Sequence, residues 1–156
     1  MSQFANGIPS DFGQGIRVAI VYGQWHEKIS QGLLEGARRT LSAAGADFFE
    51  VPVSGSFELP VVSQHALEQG ADAVVALGVI IRGGTPHFEY VSDAATSGLL
   101  QVSLKTGKPV GFGVLTLDTE QQGIDRAGFP DSIEDKGQEA SLAALDAVRR
   151  IRSLHA

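Results

Sequence analysis

The sequence of 156 residues contains no cysteine, and basic residues are scarce relative to acidic ones. Without thiols the chain can form neither a disulfide nor a thiolate metal site. Asp and Glu total 18 against 12 Lys and Arg, which gives a formal net charge of −6. A surface of that sign repels nucleic acids and anionic membranes, so both are excluded as general partners.

Long hydrophobic runs are also missing, because no apolar stretch approaches the roughly 20 residues that cross a bilayer. The N-terminal residues lack the order of charged, apolar and small residues that marks a secretory signal peptide. We therefore expect a cytoplasmic enzyme. Hydrophobic residues nevertheless make up 43% of the sequence, which suffices for the core of one domain.

Apolar β-branched runs alternate with amphipathic segments along the chain. This pattern predicts strands at residues 16–22, 47–53, 73–81 and 109–117 and helices at 28–43, 59–69, 90–104, 120–126 and 136–153. Such alternation indicates βαβ crossovers and a parallel sheet of about four strands with helices on both faces. In this α/β architecture, ligands bind at the carboxyl ends of the strands.

Residues 1–15 contain Gly, Pro, Ser, Asn and Gln with two Phe and show no period. A segment of this composition predicts a flexible N-terminal arm that orders only on a partner. A single domain is expected to follow over residues 16–156.

The turn after the third predicted strand, residues 82–87 (RGGTPH), carries two glycines, a hydroxyl and an imidazole. Its backbone N–H groups can bind an anion beside His87, a group that transfers protons. A tight turn without function explains the glycines equally well. His26 and His65 are interpreted as surface residues.

Three other positions are each open to two interpretations. Glu58, next to Phe57, either complements a helix dipole or accepts hydrogen bonds from a polyol. Trp25, the only tryptophan, either stacks on a flat heterocycle or fills a domain edge or subunit contact. Arg126 and Lys136 either bind a phosphate or cap a helix and pair with the acidic residues between them.

Five segments, read in order, resemble the lumazine synthase family. They are LLEGA at 33–37, SGSFELP at 54–60, ALGVIIRGGTPHFEYV at 76–91, PVGFGVLTLDTEQQGIDRAG at 109–128 and DKGQEA at 135–140. The similarity covers residues 16–150, and GGTPHF and FGVLTLDTEQ are its most specific parts. It implies a flavodoxin-like three-layer α/β/α sandwich without cofactor or metal, which forms at least a pentamer with active sites between subunits.

The resemblance also implies a set of site residues divided between two subunits. One subunit is expected to supply the catalytic His87 and the substrate-binding residues Trp25, Ser56, Phe57, Glu58, Val79, Ile80, Ile81, Gly84 and Thr85. Its neighbour is expected to supply Phe112, Arg126 and Lys136. The segment 128–136 looks longer than in members that form shells of sixty subunits, which favours a free pentamer.

Each group has an implied role. Trp25 would stack on a pyrimidinedione, backbone groups of residues 79–81 would bind its polar edge, and Glu58 with Ser56 would hold ribityl hydroxyls. Lys136 would meet the heterocycle, and Arg126 with the turn amides would hold a phosphate. Two departures stand out: Gly84 replaces a residue that is often larger or acidic, and Asp135 replaces a common Asn.

The implied reaction condenses 5-amino-6-(D-ribitylamino)uracil with 3,4-dihydroxy-2-butanone 4-phosphate to give 6,7-dimethyl-8-ribityllumazine, phosphate and water. It is the penultimate step of riboflavin biosynthesis. The alternatives are a non-catalytic homologue that binds flavin or lumazine and a purely structural shell component. Both are disfavoured by the presence of His87 and Arg126.

Overall fold

The computed structural model describes residue 4 and residues 6–156. One parallel sheet, in the order β2-β1-β3-β4, is formed by β1 (Arg17–Gly23), β2 (Asp47–Val53), β3 (Ala73–Ile81) and β4 (Val110–Leu117). The helices are α1 (Glu27–Ala43), α2 (Leu59–Glu68), α3 (His87–Thr106), α4 (Glu120–Ile124) and α5 (Lys136–Leu154), and a 3-10 helix (Ser56–Glu58) precedes α2. The predicted four-stranded parallel α/β fold is confirmed.

Helices cover both faces of the sheet. Helices α1 and α5 pack together over a core that includes Leu33, Leu77 and Leu145, whereas α2 and α3 cover the other face with Leu59 and Leu99. The central strands β1 and β3 are buried on both faces, as their continuous apolar sequences indicate. No helix within the described part of the chain is long and apolar enough to cross a membrane.

The order of the strands determines where a ligand can bind. The chain moves from β1 outwards to β2, then returns to the other side of β1 for β3 and continues to β4. The direction in which strands are added to the sheet therefore reverses between β1 and β3. In open α/β sheets, a crevice forms at the carboxyl ends of the strands where this reversal occurs. A binding site is therefore expected at the loops that follow these strands.

Helix α3 begins at His87, one turn earlier than the predicted start at residue 90. The two glycines and Pro86 led to the prediction of a longer turn. Proline is tolerated at a helix start because its missing N–H needs no partner there, and the helix follows it directly. His87 consequently belongs to a helix rather than to a loop.

The segment before β1 corresponds to the predicted arm, of which residues 1–3 and 5 lie outside the described residues. Phe12 is only 7% exposed and belongs to the core beneath α1 and α5. The guanidinium of Arg149 lies 4.8 Å from the centre of its ring, and the Gly13 N–H donates to the Ala44 carbonyl at 2.7 Å. A buried phenylalanine therefore anchors the turns of residues 10–15 to the domain.

Candidate active site

A cleft of about 690 Å³ opens at the carboxyl ends of β1 and β3. Its walls come from the β1–α1 turn, the 3-10 helix after β2, the end of β3 and the first turn of α3. The residues that line it are Trp25, His26, Gly55, Ser56, Phe57, Glu58, Val79, Ile80, Ile81, His87, Tyr90 and Val91. The volume lies within the range that is typical of small-molecule sites.

The cleft brings together most of the residues that the resemblance assigned to one subunit. Trp25, residues 56–58, residues 79–81 and His87 all line it. Gly84 and Thr85 instead line a neighbouring depression of about 520 Å³. Tyr90 borders both spaces, so the depression adjoins the cleft on the side of α3.

Close packing places the 3-10 helix against β3. Gly78 has no side chain there, and a Cβ atom at this position would lie 2.5 Å from the Ser56 Oγ atom. Glu58 Oε1 accepts a hydrogen bond of 2.9 Å from the Gly55 N–H, which closes the turn. Glu58 thus stabilises the start of the helical segment and also lines the cleft, so the two interpretations drawn from the sequence are compatible.

Trp25 presents its indole to the open cleft. The side chain is 69% exposed, and one edge lies against Gly55, where an added Cβ would be 3.0 Å from the indole Cδ1. The exposed fraction rules out the filling of a domain edge within this chain. Phe57 is 63% exposed, so two aromatic side chains border the cleft and can contact a planar ligand.

Arg82 links the first turn of α3, which contains His87, to the sheet. Its Nε donates to Asp118 Oδ1 at 2.9 Å, a second nitrogen pairs with Glu89, and the guanidinium lies 4.2 Å from the centre of the Phe88 ring. The bond with Asp118, followed by that with Glu89, raises the pKa of Arg82, and the guanidinium lowers the pKa of Glu89. These contacts join the ends of β3 and β4 to the first turn of α3.

Besides Gly84 and Thr85, three further predicted residues lie outside the cleft, and these three also lie outside the adjoining depression. Phe112 is a partly exposed side chain of β4, Lys136 begins α5, and Arg126 lines a depression of about 340 Å³ beside the end of β4. The resemblance assigned these three residues to the site of a neighbouring subunit. Their separation from the cleft within one chain is consistent with that assignment.

Arg126 and Lys136 both pair with one carboxylate, Glu134. Its Oε2 lies 2.7 Å from the Lys136 Nζ, and its Oε1 lies 3.4 Å from the Arg126 Nε. Hydrogen bonding with Lys136 lowers the pKa of Glu134, and the same contact raises the pKa of Lys136. Arg126 also donates to the Gln122 carbonyl at 2.9 Å, and Lys136 also contacts Glu139 at 3.2 Å. The helix-capping and acidic-partner alternatives that the sequence left open are therefore both present.

Asp135, which departs from the family pattern, contacts Arg39 and the start of α5 rather than Arg126 or Lys136. Its Oδ2 accepts a bond of 2.7 Å from Arg39, and its Oδ1 accepts a bond of 3.0 Å from the Gln138 N–H at the start of α5. The carboxylate is therefore already engaged as a helix cap and ion-pair partner.

Sequence reasoning missed four residues of the cleft wall, namely His26, Gly55, Tyr90 and Val91. Tyr90 lies one helical turn after His87, on the same face of α3, and was missed because the helix was predicted to begin only at residue 90. His26 was interpreted as a surface residue. It is exposed, but it also lies in the wall and is the only non-glycine residue of positive φ, 57°, among residue 4 and residues 6–156.

The fold and the cleft together define a flavodoxin-like α/β protein with a small-molecule site at the carboxyl ends of its strands. The model of the 6,7-dimethyl-8-ribityllumazine synthase family matches residues 15–152 of the chain. The chain therefore belongs to the 6,7-dimethyl-8-ribityllumazine synthase family, and it is a transferase of riboflavin biosynthesis.

Individual relatives are similar over almost their whole length. The 6,7-dimethyl-8-ribityllumazine synthase of Leifsonia xyli subsp. xyli is 68% identical over 142 residues, which cover 91% of this chain and 90% of the relative. That of Clavibacter michiganensis subsp. michiganensis is 67% identical over 142 residues, or 91% and 89% of the two chains. That of Streptomyces coelicolor is 55% identical over 142 residues, or 89% and 87%. These findings confirm the family that the sequence motifs indicated.

Proposed function

We propose that the cleft is the place where this chain condenses 5-amino-6-(D-ribitylamino)uracil with 3,4-dihydroxy-2-butanone 4-phosphate. The products are 6,7-dimethyl-8-ribityllumazine, phosphate and water. The observation that carries this proposal is that Trp25, Glu58 and His87, from three separate segments of the chain, line one cleft. A flat ring with a polyol side chain needs an aromatic surface and hydrogen-bond acceptors, and its condensation needs proton transfer.

The pyrimidine substrate occupies the part of the cleft between Trp25 and the end of β3. The exposed indole stacks on the ring, and backbone groups of residues 79–81 bind its polar edge. Glu58, with the neighbouring Ser56, accepts hydrogen bonds from the ribityl hydroxyls. Val79 and Ile80 are almost fully buried, so the floor of the cleft is fixed before the ligand arrives.

The ketose phosphate binds beside the first turn of α3. Gly84 and Thr85 offer backbone N–H groups to the phosphate, and Arg126 from a neighbouring copy completes its binding. The amine of the pyrimidine attacks the ketone to form an imine with loss of one water, phosphate is eliminated, and ring closure releases a second water. The substrate supplies its own nucleophile, so the protein acts mainly by holding two molecules together. His87 gives and takes the protons that these steps require.

A second copy of the chain is needed because Phe112, Arg126 and Lys136 lie outside the cleft of their own chain. Helices α2 and α3 support such an assembly, since they expose the large apolar side chains Val61, Leu100 and Leu104. We favour a free pentamer, working in the cytoplasm, over a shell of sixty subunits. Light scattering of the purified protein distinguishes these particle sizes.

The direct test is to mix the purified protein with both substrates and follow lumazine formation by absorbance and fluorescence. A rate above that of the reaction without protein is expected. Lumazine binding without turnover would instead identify a binding homologue. Loss of the rate on replacing His87 by Ala, measured in parallel, would show that the cleft itself performs the reaction.

A further inference from the structure

Arg126 and Lys136 lie opposite each other on two paired backbone segments. Ala127 and Asp135 form an antiparallel bridge, and the Lys136 N–H donates to the Arg126 carbonyl at 3.0 Å. Two cationic residues in this arrangement repel each other. A negatively charged group beside both cations therefore relieves this repulsion when no substrate is bound.

Glu134 supplies that charge, and it uses both carboxylate oxygens to do so. Oε2 contacts Lys136 at 2.7 Å and Oε1 contacts Arg126 at 3.4 Å. The side chain is 33% exposed in the single chain, so a phosphate held at the cleft of a neighbouring copy can reach the same two cations. A carboxylate and a phosphate oxygen make the same kind of charge-assisted bond with these donors.

We infer that Glu134 is a specificity-determining residue that competes with the phosphate of the substrate for Arg126 and Lys136. This inference rests on the proposed role of the two cations as phosphate and substrate ligands. With Glu134 and Glu139 present, the four side chains carry two positive and two negative charges, so the cluster is formally neutral. An anion therefore binds to the two cations only if its interaction with them is stronger than that of the Glu134 carboxylate.

The competition also favours release of the phosphate product. Inorganic phosphate left on an uncompensated pair of cations would be held by both, whereas Glu134 offers each cation an alternative partner at once. Loss of Glu134 leaves the cations in place, because Arg126 keeps its bond to the Gln122 carbonyl and Lys136 keeps its contact with Glu139. The removal of one negative charge therefore acts on anion affinity rather than on the fold.

The test compares competitive inhibition by inorganic phosphate, with the ketose phosphate as the varied substrate, in the wild type and in the Glu134→Gln variant. We expect phosphate to inhibit the variant about three- to tenfold more tightly, from the loss of one nearby charge in a partly exposed site. The KM for the ketose phosphate falls with it. Raising the salt concentration reduces the difference.

Two matched variants give the control. Glu68→Gln removes the same charge from the distant helix α2 and leaves phosphate inhibition unchanged. Glu134→Asp retains a carboxylate and gives inhibition close to that of the wild type. Thermal melting of each variant shows that the fold is retained.

The outcomes separate this inference from the proposed function. If the wild type forms no lumazine, the proposed function fails. If the wild type turns over but Glu134→Gln binds phosphate as the wild type does, competition by Glu134 is wrong. Weaker phosphate inhibition in Glu134→Gln would also overturn the inference, since it would show that Glu134 supports the bound anion.

Discussion

The cleft and the cationic edge, by which we mean Arg126 and Lys136 with Glu134, are built in different ways. The cleft is bordered by the exposed aromatic side chains Trp25 and Phe57, and close backbone contacts set its shape. The cationic edge consists of charged side chains that are held by one another. The shape of the cleft is complete within one chain. The cationic edge has its charges balanced internally until an anion binds. In the proposed function, the cleft holds the heterocycle, and the cationic edge binds the phosphate through Arg126.

Replacing His87 by Ala has the largest expected effect and concerns only the cleft. Loss of a general acid/base lowers kcat on the order of 100-fold, while the KM values for both substrates change little. Single-turnover kinetics measure this directly, because they separate the chemical steps from binding. His65→Ala on the exposed face of α2 serves as the control. An unchanged kcat in His87→Ala would remove His87 from the reaction.

Replacing Arg126 by Ala tests the cationic edge alone. We expect kcat/KM for the ketose phosphate to fall about 30-fold, because a charge-assisted bond to phosphate is worth about 2 kcal/mol. The KM for the pyrimidine remains close to that of the wild type. Steady-state kinetics with each substrate varied in turn distinguish the two parameters. Arg150→Ala, which removes an exposed charge on α5, is the control. Equal kinetics for the wild type and Arg126→Ala would contradict the assignment of Arg126 to the phosphate.

Replacing Trp25 by Ala tests the cleft and its binding of the heterocycle. The loss of ring stacking weakens pyrimidine binding by about tenfold and leaves inhibition by inorganic phosphate unchanged. Calorimetric titration of the pyrimidine into the protein measures the change. Trp25→Phe keeps an aromatic ring and recovers part of the affinity. A parallel loss of phosphate binding would show that the two regions are not independent.

A smaller effect is expected when the pH is lowered, and it concerns the contribution of the cationic edge to stability. Lys136 lowers the pKa of Glu134 below its ordinary value of 4.5, so the folded state favours the ionised carboxylate. The resulting stability is present above the ordinary pKa and is lost as pH falls through the lowered pKa of the folded protein. The melting temperature of the wild type should therefore fall more between pH 6 and pH 3 than that of Glu134→Gln. Parallel curves for the two proteins would contradict a stabilising ion pair.

The local periodicity of the chain was sufficient to predict the fold. The buried strand β3 was predicted with its observed bounds, Ala73–Ile81, because a continuous apolar run has one low-energy place in a parallel sheet. The start of α3 was predicted one turn late, since glycine and proline mark a turn without stating where the helix resumes. Phe12 was assigned to an arm, because a single aromatic residue without a period carries no local sign of burial.

The sequence by itself determined the alternation of strands and helices, the parallel sheet and, through its motifs, the family. Each of these depends on residues close together in the chain, where side-chain spacing reports secondary structure directly. Only the tertiary structure decided that Tyr90 joins Trp25 and His87 in the cleft wall, and that Glu134 holds two cations. Those contacts depend on the order of strands in the sheet and on how loops that are distant in sequence pack at its edge, and a local pattern does not encode either one.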